Sequence, residues 1–323
     1  MTVIRRLPWL ALVMVLPLVA SCCGRPADPP RDGTLNEDQT FEHGGRGRTY
    51  HFYEPADVSG PRPLALLLHG GGGVIDDHIG LGAVDWPHQL WLDIADEDGL
   101  YVLVPQGIDS QWNDCRTDCP HCGVQDDVGF LLALIDDLST RHDIDPARIY
   151  AIGESNGGLM AQRLAQEAAE RFAGIGAVIA LMPQNTECTA PSELPIAVMY
   201  QVGTADATIP YEGGLSGYEA TGEFQSAAAS VALWVAHNQC EETPTADAYP
   251  DLDPADGSTA TREDYACPST GTAVSITTMD GAGHVAPSIE VQVSGLWEAL
   301  AGKQNHDLEG AREIWAFLQD HSR

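Results

Sequence analysis

Positive charge is scarce in this sequence: 16 Lys and Arg stand against 47 Asp and Glu, a formal net charge of −31 over 323 residues. That balance excludes nucleic acid and anionic lipid surfaces as partners, because phosphate recognition needs cationic neutralisation. Internal repeats are lacking, which sets solenoid architectures aside. No apolar run of bilayer-spanning length follows the first twenty residues. What the chain does have is apolar content, 44% of its residues, ample for the core of one large α/β domain.

The first residues read as a processing signal. Arg5 and Arg6 precede the apolar run 7–20, which is too short for a comfortable membrane span but suits a secretory segment. The run ends in Val19-Ala20-Ser21-Cys22, which resembles the lipobox of bacterial lipoproteins. The resemblance implies cleavage after residue 21 and a lipid on Cys22, so that any membrane contact comes through this anchor alone, on the cell surface or periplasmic side. An ordinary secretory signal with an incidental cysteine is the competing reading, and either way the mature chain is exported. Residues 22–47, rich in Pro, Gly, Asp and Arg, are expected to form a flexible tether, and 48–323 a single domain.

Within that domain, residues 49–53 predict an edge strand. The continuous apolar runs 64–68 and 100–104 predict strands buried on both faces of a parallel sheet. Further strands are expected over 175–181, 196–202 and 274–279. Helices are expected over 86–98, 126–138, 159–169, 224–238 and 308–319. The polar, acidic stretch 239–267 reads as a surface excursion. Asp126 and Asp127 could form an acid–base pair, but carboxylates at a helix start more simply cap it and complement its dipole.

The chemistry centres on Gly153-Glu154-Ser155-Asn156-Gly157. A β-branched, aromatic run precedes it and an Ala/Leu/Gln-rich helical segment follows. This strand–turn–helix context makes G-x-S-x-G a nucleophile elbow rather than a glycine-rich helix cap. Gly153 and Gly157 are needed where strand and helix backbones approach too closely for a Cβ. The strand over 64–68 runs into His69-Gly70-Gly71-Gly72-Gly73, a loop whose Gly71 and Gly72 amides can face a developing oxyanion together with that of Asn156. His69 itself reads as a loop organiser. Asp206 follows the strand 196–202, and His284 sits among glycines after 274–279. Ser155, Asp206 and His284 in that order are a nucleophile, the acid that orients an imidazole, and the base. Trp86, Trp112 and Tyr211 are candidates to line the substrate cleft.

Eight cysteines are present. Cys115, Cys119, Cys122, Cys188, Cys240 and Cys267 lie beyond the signal region, and six in an exported chain suggest disulfides. Cys240 and Cys267 flank the polar excursion and are expected to staple it. The other four make two bridges of open connectivity. A metal site built from Cys115, Cys119, Cys122 and His121 lacks a standard zinc spacing, so no metal and no cofactor are expected.

Taken together, Leu68-His69-Gly70-Gly71-Gly72, Val104-Pro105-Gln106-Gly107, Asp126-Asp127-Val128-Gly129-Phe130, the elbow, Gly203-Thr204-Ala205-Asp206 and Gly281-Ala282-Gly283-His284 resemble the extracellular polyhydroxybutyrate depolymerase and feruloyl/acetylxylan esterase family of α/β-hydrolases, including its lipoprotein branch. The resemblance spans about residues 64–287. It implies an α/β-hydrolase fold, a mostly parallel central sheet flanked by helices, with Ser155, Asp206 and His284 as the triad and a polymeric or sugar-linked ester as substrate. The chain departs from the family where Val285-Ala286-Pro287 follows the histidine in place of an aromatic residue. A peptidase on the same scaffold and a non-catalytic glycan- or partner-binding lipoprotein are the competing readings.

Overall fold

The structure is a computed structural model that describes residues 31–323 except 57–58, 189–191 and 219–220. The expected signal segment 1–21, the lipid site at Cys22 and the first part of the expected tether lie outside the described residues.

The described chain opens on a hairpin. Strands β1 (Thr34–His43) and β2 (Arg46–Glu54) pair antiparallel. They turn at Gly44 and Gly45, whose φ angles of 58° and 77° meet the positive-φ demand of a two-residue hairpin loop. This corrects the tether expectation for residues 34–47. The segment is polar because β1 has a single strand partner and stays largely exposed, not because it is unstructured. The edge position expected for 49–53 belongs to β1.

Next come β3 (Arg62–Leu68), the short α1 (Ile75–His78), α2 (Leu90–Asp98), β4 (Tyr101–Pro105), α3 (Asp127–Ser139), β5 (Ile144–Glu154), α4 (Asn156–Glu167), β6 (Gly174–Val178) and β7 (Ala197–Gly203). A small pair, β8 (Gly214–Leu215) and β9 (Glu223–Phe224), precedes α5 (Ala227–His237). The chain then forms β10 (Thr245–Ala248), β11 (Thr259–Cys267), β12 (Thr272–Asp280), α6 (Gly295–Ala301) and α7 (Gly310–Leu318). The helix expected from residue 86 starts with a 3₁₀ turn over Pro87–Gln89 before α2.

Ten strands form one sheet in the order β1-β2-β4-β3-β5-β6-β7-β12-β11-β10. The central pairings from β4 to β12 are parallel, and two antiparallel strands close each edge. The excursion expected over 239–267 is therefore corrected in part: β10 and β11 widen the sheet, with charged side chains that suit an edge.

The period-2 geometry of a strand splits the apolar run of β3 between two cores. Leu64, Leu66 and Leu68 join one with α3, α4 and α5, while Ala65 and Leu67 join another with α2 and α7. Each fully buried leucine contributes about 1.5–3 kcal/mol relative to exposure. With both faces covered, the free end of the sheet is its carboxyl edge. There β3, β5, β7 and β12 deliver the loops carrying the glycine run, Ser155, Asp206 and His284.

Candidate active site

Ser155 joins β5 to α4 at φ 50°, ψ −120°, a region a non-glycine residue enters only at a cost of about 1–3 kcal/mol. The elbow is that tight because strand and helix nearly touch. A Cβ on Gly153 would lie 2.2 Å from the Gly157 carbonyl oxygen, and one on Gly157 would lie 2.1 Å from that of Leu68. The Ser155 N–H is held by the Val178 carbonyl at 2.9 Å, so the strained turn is fixed to the neighbouring strand.

Three side chains from three loops meet at this elbow. The Ser155 hydroxyl donates to His284 Nε2 at 2.9 Å, and His284 Nδ1–H donates to Asp206 Oδ2 at 2.7 Å. The second oxygen of Asp206 accepts the Thr208 and Ile209 N–H groups at 2.7 and 2.9 Å, which fixes the carboxylate and hence the ring. The His284 loop is tied at its back, where the His284 and Gly283 N–H groups donate to Ala301 and Lys303 carbonyls at 2.6 and 2.8 Å.

The glycine loop after β3 is organised by His69, as its sequence position suggested. Its Nδ1–H donates to the Gly70 carbonyl at 2.7 Å, and its Nε2 accepts the Gly107 N–H at 3.0 Å. Burial holds the ring neutral, with its pKa lowered to about 4. The expected set of oxyanion donors needs one correction. The Gly72 N–H is spent on the Ser110 carbonyl at 2.7 Å, so it does not face the cleft. Among the described residues the Gly71 N–H has no partner, and Asn156, as the first residue of α4, has no carbonyl one turn back to receive its own. The Asn156 side chain is locked below. Its Oδ1 accepts the Trp112 N–H at 2.8 Å, while its Nδ2 donates to the Trp112 carbonyl at 3.1 Å and to Asp114 at 2.5 Å.

A cleft of about 230 Å³ opens over Ser155. Val74, Val84, Trp86, Ile179, Trp297 and Ala301 supply its apolar wall. Trp86 and Trp297 meet edge to face at 5.5 Å. Of the three aromatic residues expected there, only Trp86 lines the cleft. Trp112 is wholly buried beneath it, its indole N–H donating to the His69 carbonyl at 3.0 Å. Tyr211 packs against the core and shares a hydrogen bond with Thr278 at 3.3 Å. Trp297 was missed because α6 buries none of its residues and its sequence gives no link to the elbow.

Glu154, the variable residue of the motif, was also missed. Its carboxylate accepts the Trp86 indole N–H at 2.6 Å and a backbone N–H from Gly70. Burial raises its pKa to about 7 against the opposing pull of these donors and of His284. His88 Nδ1 lies 3.4 Å from it, and His78 stacks on His88 with ring centroids 4.4 Å apart and planes 24° from parallel. Burial lowers both imidazole pKa values, that of His88 to about 3. The three could offer metal-ligand atoms within 4.8 Å of one another. The two imidazoles, held neutral by burial, pack as a stacked pair against Glu154.

No family model matches the chain. NocK of Nocardia uniformis subsp. tsuyamanensis, a protein named as an esterase, is 33% identical over 264 residues, which cover 75% of this chain and 72% of NocK. The chain belongs to that esterase family. As a member it is a carboxylic ester hydrolase. A poly(3-hydroxybutyrate) depolymerase of Ralstonia pickettii is 31% identical over 183 residues, 51% of this chain and 35% of that protein. The solved acetyl xylan esterase from Aspergillus awamori superposes with a TM-score of 0.54 at 12% identity, over 79% of this chain and 95% of its own. It shares the α/β-hydrolase fold.

In this esterase the six cysteines form three bridges. Cys240–Cys267 closes the flank of the β10–β11 segment as expected, and the open connectivity resolves to Cys115–Cys188 and Cys119–Cys122. Asp126 caps α3 by accepting the Gly129 N–H at 2.9 Å. Asp127 does something else: it is buried against Arg48, with Nη2 and Oδ1 2.8 Å apart.

Proposed function

We propose that the esterase works through Ser155, His284 and Asp206 by way of an acyl-enzyme. His284 Nε2 takes the Ser155 proton as Oγ attacks the ester carbonyl carbon. Asp206 fixes the tautomer and stabilises the imidazolium, which then protonates the leaving alcohol. The N–H groups of Gly71 and Asn156 stabilise the tetrahedral oxyanion, an electrostatic contribution of about 3–4 kcal/mol per donor in well-formed holes. Water, activated by the same imidazole, releases the acid. The observation that carries this reading is the unbroken hydrogen-bonded line from Ser155 to Asp206 at the floor of an open cleft.

The substrate we assign is an uncharged carboxylic ester, hydroxyalkanoate, feruloyl or acetyl, carried on a polymer or a sugar. The apolar wall around Trp86 and Trp297 supports an uncharged acyl or alcohol group, and the name of the Ralstonia pickettii relative points to the hydroxyalkanoate type among the three. The three disulfides support export, since such bridges suit an oxidising compartment. We further propose a signal over residues 1–21 and an anchor at Cys22, which metabolic labelling with a fatty-acid analogue tests through loss of label in Cys22→Ala. The function is tested with p-nitrophenyl acetate and butyrate, methyl ferulate, acetylated xylan, a hydroxybutyrate oligomer and a peptide anilide. Turnover of esters but not of the anilide is expected. Preferential cleavage of the anilide would overturn the assignment in favour of a peptidase.

A further inference from the structure

The loop between β4 and α3 carries Cys119-Pro120-His121-Cys122, whose two cysteines are bonded to each other across only three positions. This bridge differs from the other two. Both of its cysteines are partly exposed, and Pro120 and His121 between them are exposed. Each of the other bridges keeps one buried cysteine, Cys115 and Cys267 respectively, each about 1–2% exposed. The short loop also restrains the chain least, because the closure entropy a disulfide removes grows with loop length. Its reduction is therefore the least opposed by folding.

One side of the bridge is held by a buried cation. Arg116 Nη2 lies 3.0 Å from Cys122 Sγ, and the same nitrogen donates to Asp114 Oδ2 at 2.7 Å. Asp114 Oδ2 in turn accepts the Asn156 side-chain amide at 2.5 Å. Arg116 and Asp114 are buried, with side chains 4% and 0% exposed. Three side-chain contacts thus connect the sulfur of a partly exposed cysteine to the residue beside the nucleophile.

We propose that Cys119–Cys122 is a thiol–disulfide exchange site for a dithiol reductant, and that its redox state is read at Asn156 through Arg116 and Asp114. A reductant thiolate attacks Cys119 Sγ, the S–S bond breaks, and Cys122 leaves as a thiolate beside the guanidinium, which favours that leaving group. The second reductant thiol displaces Cys119, giving a cyclic disulfide on the reductant. Two electrons pass to the cysteine pair, and Cys119 takes up a proton. The new negative charge on Cys122 competes with Asp114 for Arg116 and loosens the clamp on Asn156, whose N–H faces the oxyanion. Chemical selectivity of the bridge stands on its own; the effect on turnover rests on the proposed role of Asn156.

The test is a dithiothreitol titration of the intact protein, with native alkylation by iodoacetamide, peptide mass analysis and p-nitrophenyl acetate kinetics at each point. Cys119 and Cys122 are expected to be labelled at a reductant concentration about tenfold or more below that for the other four cysteines. In step with labelling, kcat falls about tenfold with KM little changed, less than the hundredfold that a 1 Å misplacement can cost, and reoxidation restores it. A Cys119→Ser/Cys122→Ser variant, which cannot place a thiolate beside Arg116, is expected to keep the kcat of the oxidised protein and no longer to respond to reductant. Ser155→Ala gives the same labelling pattern, so failure of the triad reading would leave the redox result standing. Simultaneous labelling of all six cysteines, or labelling of another pair first, overturns the exchange site. Selective labelling with kcat unchanged overturns its connection to Asn156.

Discussion

Glu154 is the most exacting place to test the electrostatics of this site. Its carboxyl is buried beside Ser155, and its pKa is raised to about 7 from 4.5. The folded protein therefore holds the proton more tightly than the unfolded chain. Between these two values the native state binds more protons, so stability falls as pH rises. The contribution is fully present below pH 4.5 and is lost as pH climbs through 7. At about 1.4 kcal/mol per pH unit, the total is about 3 kcal/mol. His69 works in the opposite sense: its pKa is lowered to about 4, so its contribution is present above pH 6.5 and lost as pH falls toward 4. His78 and His88, whose pKa values burial also lowers, add slopes of the same sign as that of His69, and these overlap the slope of Glu154, which is why a variant is needed to see it. Glu154→Gln can still accept the Trp86 indole N–H but cannot titrate. Urea denaturation of both proteins between pH 4.5 and 8 should show the variant gaining about 3 kcal/mol on the wild type as pH rises. A difference independent of pH would refute the assignment of a buried, proton-holding carboxyl.

Three further outcomes follow from the geometry. Asp206→Asn keeps the side-chain shape but spoils the tautomer of His284, so kcat should fall about 10⁴-fold on p-nitrophenyl esters while KM changes little. Arg48→Met leaves Asp127 buried without its cation and removes the guanidinium stacked 3.9 Å above Phe130; equilibrium denaturation should show a loss of about 3–5 kcal/mol. Removing Cys240–Cys267 by paired serine substitution frees a separation of 27 residues and should cost about 3–4 kcal/mol by the chain-entropy account, visible as a lowered Tm with kcat retained.

The parts of the molecule legible in the sequence are those specified by short-range pattern. The elbow announced itself because Gly153 and Gly157 are demanded within five residues of each other, and the buried strands because both of their faces are apolar. Edge strands gave no such signal. β1 and the β10–β11 pair meet solvent along much of their length, so their polar composition mimicked a tether and a surface loop. The Gly44-Gly45 hairpin turn was the one local clue to the first. The support under Ser155 was invisible for a different reason: His78, His88 and Glu154 come from three separate segments, and only the packing of α1 and the turn before α2 against β5 unites them. Likewise the sequence could not rank Gly71 above Gly72, because that choice depends on where the Ser110 carbonyl lies. Trp112 and Tyr211 illustrate the same limit, since a loop tryptophan or tyrosine reads alike whether its ring faces a cleft or closes the core below it.

The central claim is that Ser155 Oγ carries the acyl group. Rapid acid quenching during turnover of p-nitrophenyl butyrate, followed by peptide mass analysis, tests it directly. The account predicts a butyryl adduct on the peptide containing Ser155, absent in Ser155→Ala together with turnover. Turnover that persists in that variant, or an adduct on another residue, would contradict it.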